Sequence, residues 1–217
     1  MKRISNLTIL LVCVLLPLKA QSTLEQLYVN MPDMLNPAMS KKQRMEQIEY
    51  YKAGSDSVAN RFNNQVYVRA FDEQNGYMKI QTTDISAMEI KYFINGNDTV
   101  VGVIKTVCTP ICQSVVNFYT TAWHKRSDIK FSMPKAVEWL DPEMMKQTTE
   151  NTEIARKLLD VSFISLSFSP DQNEILALNH SLDYLSEQDR EIVAPLLREE
   201  PIIFRIDNKE WLRVVND

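Results

Sequence analysis

Hydrophobic positions along this chain fall into distinct spacings, and each predicts a different kind of element. Ser40-Lys41-Lys42-Gln43 has the Ser-x-x-Gln form of a capping box, and Met45, Ile48 and Tyr51 follow at helical spacing with Gly54 as a stop. An amphipathic helix is predicted here. Ahead of it, Leu24, Leu27 and Val29 read as one or two helical turns ending near Pro32 and Pro37. From Gln65 the period becomes two, through 66–71, 77–81, 87–93, 100–107 and 115–123. Asn75-Gly76 and Asn95-Gly96 lie between runs, and Asn-Gly suits the tight hairpin turn that needs positive φ. Five strands joined by short turns make an antiparallel meander with one face on the helix and the other left for water or a partner.

The second half is more broken. Residues 128–133 suggest a further strand closed by Pro134, and Asp141-Pro142-Glu143 begins a helix that runs toward Leu158 through a polar middle. Strand-like runs follow at 161–168 and 174–178, then a helix capped by Ser186 and limited by Pro195, then a terminal hairpin over 202–206 and 211–215. The fold class expected is α+β: an antiparallel meander of about five strands packed with an N-terminal helix, followed by a smaller helix-plus-hairpin half. One domain over 21–217 is expected, with 21–128 and 129–217 as its possible lobes.

The apolar run at 7–18 is of another kind. It follows Lys2 and Arg3 and precedes Leu18-Lys19-Ala20, which is the charged, apolar and small-residue order of a secretory signal. A membrane-crossing helix needs about 20 apolar residues, more than this run has. Cleavage between Ala20 and Gln21 is expected, removing residues 1–20 and Cys13 with them. Cys13 follows Val12, and a lipid-modified cysteine usually follows a small residue. Loss of Lys2, Arg3 and Lys19, with no acid, takes the formal charge from −4 to −7. An acidic chain without a further apolar span is expected to be periplasmic, secreted or at the cell surface, with no nucleic acid as partner and no stable membrane span.

Export changes the reading of the remaining cysteines, Cys108 and Cys112. In an oxidising compartment a disulfide persists, and these two flank Thr109-Pro110-Ile111 between strand-like runs. A bridge across a tight hairpin and a pair of buried free thiols are both compatible with that spacing. A redox pair calls for Cys-x-x-Cys opening a helix, which this is not.

Four glycines are too few and too scattered for a Rossmann fingerprint or a phosphate loop. His124 and His180 lack zinc spacing. A Ser-His-Asp triad needs only to meet in space, although no Gly-x-Ser-x-Gly elbow is present. Pairs such as Glu199-Glu200, or Asp183 with Glu187, read as solvated acids unless a cleft buries them. No catalytic, metal or cofactor residue is assigned. The positional expectation is a contact patch of Tyr67, Tyr119 and Trp123 on the uncovered sheet face.

The segment Met31-Pro32-Asp33-Met34-Leu35-Asn36-Pro37, the helix carrying Arg44, and Thr106-Val107-Cys108-Thr109-Pro110 with Ser114, Phe118-Tyr119 and Trp123 resemble secreted proteins of Bacteroidales gut and oral bacteria grouped as a domain of unknown function. The resemblance covers most of the chain after the leader and is clearest over 27–123. It implies a Gram-negative envelope setting and carries no activity or site residues. In that setting Asp56-Ser57-Val58 and Asp98-Thr99-Val100 look like acceptor sites for O-linked glycans. The expected function is that of a non-enzymatic binding module for a protein, peptide or glycan. An envelope polysaccharide or peptide hydrolase using carboxylates between the two halves stays open, as does an inhibitor-like periplasmic protein.

Overall fold

The computed structural model describes residues 23–95 and 98–214; the expected leader, its Ala20/Gln21 junction and Gly96 lie outside them. Two helices come first, α1 (Leu24–Val29) and α2 (Lys41–Lys52). Ser40 and Gln43 close the reciprocal capping box: the Gln43 N–H donates to Ser40 Oγ, and the Ser40 N–H to Gln43 Oε1. The segment between the helices is fastened by Arg44, 1 % exposed, which donates to the carbonyls of Val29, Met31 and Met39 and to the Asp33 carboxylate. The family-like motif at 31–37 is thus a 3-10 turn, Asp33–Leu35, and its flanks, tied around one buried guanidinium.

Six strands follow, β1 (Ser57–Ala59), β2 (Gln65–Asp72), β3 (Tyr77–Thr83), β4 (Ser86–Asn95), β5 (Asp98–Cys108) and β6 (Cys112–Tyr119), and each pairs antiparallel with its neighbour in sequence. β1 is an addition to the meander read from the sequence; three residues are too few for alternation to show. A bulge between Val68 and Ala70 turns Ala70 toward one face and Phe71 toward the other.

The second half supplies α3 (Pro142–Gln147), α4 (Thr149–Leu158), β7 (Ile164–Phe168), β8 (Glu174–Asn179), α5 (Glu187–Val193), β9 (Ile202–Asp207) and β10 (Glu210–Arg213). Its strands form a four-stranded antiparallel sheet in the order β10-β9-β8-β7. The single helix expected after Asp141 is interrupted at Thr148, whose φ of −142° and ψ of 80° are not helical. The strand expected over 128–133 amounts to one parallel bridge, Lys130 to Glu210.

Alternation along the six strands sends side chains to two different cores. Val66, Val68, Ile80, Ile90 and Val103 meet Leu24, Leu27, Tyr28 and Ile48 of the helices. Tyr77, Phe93, Val100, Ile104 and Phe118 meet Phe168, Ile175, Phe204 and Trp211 of the second sheet. A third cluster joins α4 and α5 through Ala155, Leu159 and Val193. The first sheet is therefore a middle layer, and the face expected to be open is covered over much of its area by the second sheet.

The covering is not complete, and β7 marks its limit. Gln113 Nε2 donates to Ser162 O at 3.4 Å, the Leu166 N–H to Ser114 Oγ at 2.9 Å, and the Phe168 N–H to Glu89 Oε2 at 2.9 Å. β7 therefore crosses from β6 to β4. Its outward N–H groups at Leu166 and Phe168, which an edge strand leaves unpaired, are taken by side chains of the other sheet. Beyond that edge lies the end of the first sheet that carries the β3–β4 turn and the β5–β6 hairpin tip.

Candidate functional site

Cys108 and Cys112 are joined by a disulfide with an S–S distance of 2.01 Å at the tip of the β5–β6 hairpin. The Thr109-Pro110 bond between them is cis. The Cys108 N–H donates to Ile85 O at 2.8 Å, so the tip and the β3–β4 turn form one ledge.

Tyr119 and Trp123 do not join an exposed patch. Both are 8 % exposed and belong to the core under the helices, their ring centroids 5.6 Å apart. β6 ends at Tyr119, and Trp123, with φ of +63°, lies in the turn beyond it and donates from Nε1 to Leu27 O at 3.1 Å. The expected patch puts Tyr119 on the face away from the helices, whereas it lies on the face that α1 covers. Tyr67 lies on the opposite face, half-buried, with the Arg69 guanidinium 4.4 Å from its ring centroid. Ser57 and Thr99 are half-buried on β1 and β5, each followed by a buried valine, Val58 and Val100.

Two constellations the sequence leaves open can be judged by distance. Ser165 Oγ and His180 Nε2 are 2.7 Å apart, but Asp183 Oδ2 stays 4.0 Å from His180 Nδ1 and also faces Arg190. The third link of a hydrolytic triad is not made. The carboxyls whose proton affinity departs from the ordinary among the described residues are Asp33, Asp72 and Asp128, and all three are lowered. Asp128 is held down by hydrogen bonds from Arg126 and Lys209, beside a cleft of about 430 Å³ with Lys130, Asp207 and Glu210. A general acid needs the opposite shift. Among the described residues no group of three or more His, Cys, Asp or Glu could hold a metal ion, and no helix is long and apolar enough to cross a membrane.

The ledge at the hairpin tip is different in character, because it separates two clefts. The first, about 230 Å³, is lined by Arg69, Lys79 and Gln81, by Ala87, Thr106 and Cys108, and by the turn at Thr83–Ser86. The second, about 280 Å³, is lined by Val107, Pro110, Ile111, Gln113, Phe163 and Tyr184. The rings of Phe163 and Tyr184 pack at a tilt of 39° with centroids 5.0 Å apart, and Ile85, Val107 and Tyr184 are 50 %, 49 % and 60 % exposed. The alternation along β2 and β3 already places Arg69, Lys79 and Gln81 on one face up to the bulge. The pairing of Phe163 with Tyr184, across β8, has no local signal in the sequence.

The family model described as "Protein of unknown function (DUF3256)" matches residues 15–211 of the chain. The solved structure of a domain of an uncharacterized protein from Porphyromonas gingivalis W83 is similar in fold, with a TM-score of 0.75 at 20 % sequence identity, covering 89 % of this chain and 98 % of that one. Comparison with curated proteins gives no match.

Proposed function

We propose, for a chain that belongs to the DUF3256 family of proteins of unknown function, the role of an exported, non-catalytic binding module whose contact surface is the disulfide-braced end of the six-stranded sheet. The observation that carries this reading is the position of the Cys108–Cys112 bridge between two clefts. A bridge that closes so short a loop contributes on the order of 2 kcal/mol or less to the stability of the whole chain. Its effect is local: it holds the tip in one shape, with Pro110 and Ile111 beside Tyr184. Preorganised apolar residues on a braced loop suit a protein or peptide partner, because little ordering entropy is lost on contact.

The bridge and the apolar run at 7–18 support the same compartment, an oxidising one reached by export. The hydrolytic alternative draws no support from the carboxyls, since the shifted ones are those bound most tightly as anions.

The test is fractionation of the native bacterium followed by intact mass, and capture of envelope components on the purified chain. A periplasmic or surface species beginning at Gln21, with capture abolished by Ile111→Asp or Tyr184→Asp in correctly folded variants, is expected. A cytosolic chain retaining Met1, or capture indifferent to both variants, contradicts the proposal.

A further inference from the structure

The 230 Å³ cleft has a floor set by strand register. Gln81, Ala87, Thr106 and Ser114 are directly opposed partners across β3, β4, β5 and β6, and directly opposed residues of antiparallel strands point to the same face. That face is the one on which Ser114 reaches β7, so the row starts under the second sheet at Ser114, and its other three members line the cleft. Ala87 is the smallest member of the row and lines the depression between Gln81 and Thr106.

Arg69 stands at one side of this floor in a restricted pose. Its Nε and Nη2 donate to Gln81 Oε1 at 2.8 and 2.6 Å, its Nη1 meets Asp56 Oδ2 at 3.4 Å, and the guanidinium covers the Tyr67 ring. Guanidinium has five N–H donors, so one hydrogen remains on each of Nη1 and Nη2. Those two form the fork that a carboxylate takes with both oxygens. The closest partner of Arg69 is a neutral amide, and its side chain is 43 % exposed. Lys79 stands beside it, 42 % exposed, with one contact to Glu89 at 3.0 Å. Across the floor the lining turns apolar at Ile85 and Cys108, and Asp84 on the same turn disfavours a second acidic group there.

We propose that this cleft binds the C-terminal residue of a peptide, its carboxylate held by Arg69 and Lys79 and its apolar side chain seated over Ala87 against the β3–β4 turn. A terminal residue carries its carboxylate and its side chain on the same carbon, so it spans cations and an apolar floor within one small cleft. An internal glutamate would instead bring main-chain amides over the apolar floor. The inference deepens the binding reading above and rests on it. Export and tip-dependent capture can hold while carboxylate recognition is absent, so the two fail separately.

The test uses the chain from Gln21 onward and fluorescence anisotropy with a labelled pentapeptide ending in leucine, as the free acid and as the C-terminal amide. The free acid is expected to bind at least about tenfold more tightly than the amide. Arg69→Lys, which keeps the charge and loses the fork, and Ala87→Leu, which fills the floor, are each expected to weaken the acid by about tenfold or more. Unlabelled N-acetyl-leucine is expected to compete, and a peptide with internal glutamate and an amidated end is not. Equal binding of acid and amide, binding unaffected by Ala87→Leu, or no binding by about 10 mM peptide overturns the proposal.

Discussion

The ring of Phe168 on β7 occupies the space that a side chain at Gly102 on β5 would need: a Cβ at Gly102 would stand 2.6 Å from Phe168 Cζ and 3.0 Å from Phe93 Cζ. The contact fixes how closely the two sheets approach. Gly102→Ala is expected to destabilise the chain by about 1–3 kcal/mol through overpacking. Urea unfolding measures it, and Phe168→Leu in the same chain should recover part of the loss; a neutral Gly102→Ala would mean that the sheets are less tightly held than this geometry requires.

Arg44 is the pin of the N-terminal loop. Arg44→Leu leaves the carbonyls of Val29, Met31 and Met39 without their donor, and a loss of about 3–5 kcal/mol is expected. Asp33→Asn should be much milder, because that carboxylate is half exposed and water replaces the lost contact. Chemical denaturation of both variants checks the order.

Acid should weaken the fold through its paired carboxylates. Asp128 is held down by Arg126 and Lys209, and Asp33 by Arg61 and then Arg44. Carboxyls whose folded pKa is depressed contribute stability that is complete above the unfolded value, near 4, and is lost as pH falls through the folded value. Thermal unfolding from about pH 5 to 2 is expected to show a falling midpoint, with a shallower fall in Asp128→Asn. Added salt should flatten the dependence, since these pairs are exposed.

The disulfide separates shape from stability. Cys108→Ser with Cys112→Ser should lower stability by no more than about 2 kcal/mol, while envelope capture is lost. Calorimetry beside the capture assay distinguishes this from a bridge that holds the whole fold, for which both readouts would collapse together.

Trp123 probes the covered face. Trp123→Phe removes the donor to Leu27 O and should cost about 1–3 kcal/mol. A blue-shifted indole emission, measured by difference from the variant, is the expected signature of this buried ring.

Local chemistry alone determined much of this architecture. The capping box at Ser40 and Gln43, the proline at the start of α3 and the period of two along β2 to β6 each act between residues close in sequence. The hairpin register also sets Cys108 opposite Cys112, four positions on, although that spacing alone is equally compatible with two free thiols. What alternation gives is a face, never its occupant. Tyr119 lies opposite Phe118 as alternation requires, but on the face covered by α1, about ninety residues earlier in the chain, and not on the open face with Tyr67. Likewise the cleft at Ala87 lies where β7, far along the chain, crosses the first sheet at Ser114 and Glu89 and leaves Ala87 and Gln81 outside its contacts. Burial of that kind is a property of packed layers, and only the tertiary structure decided it.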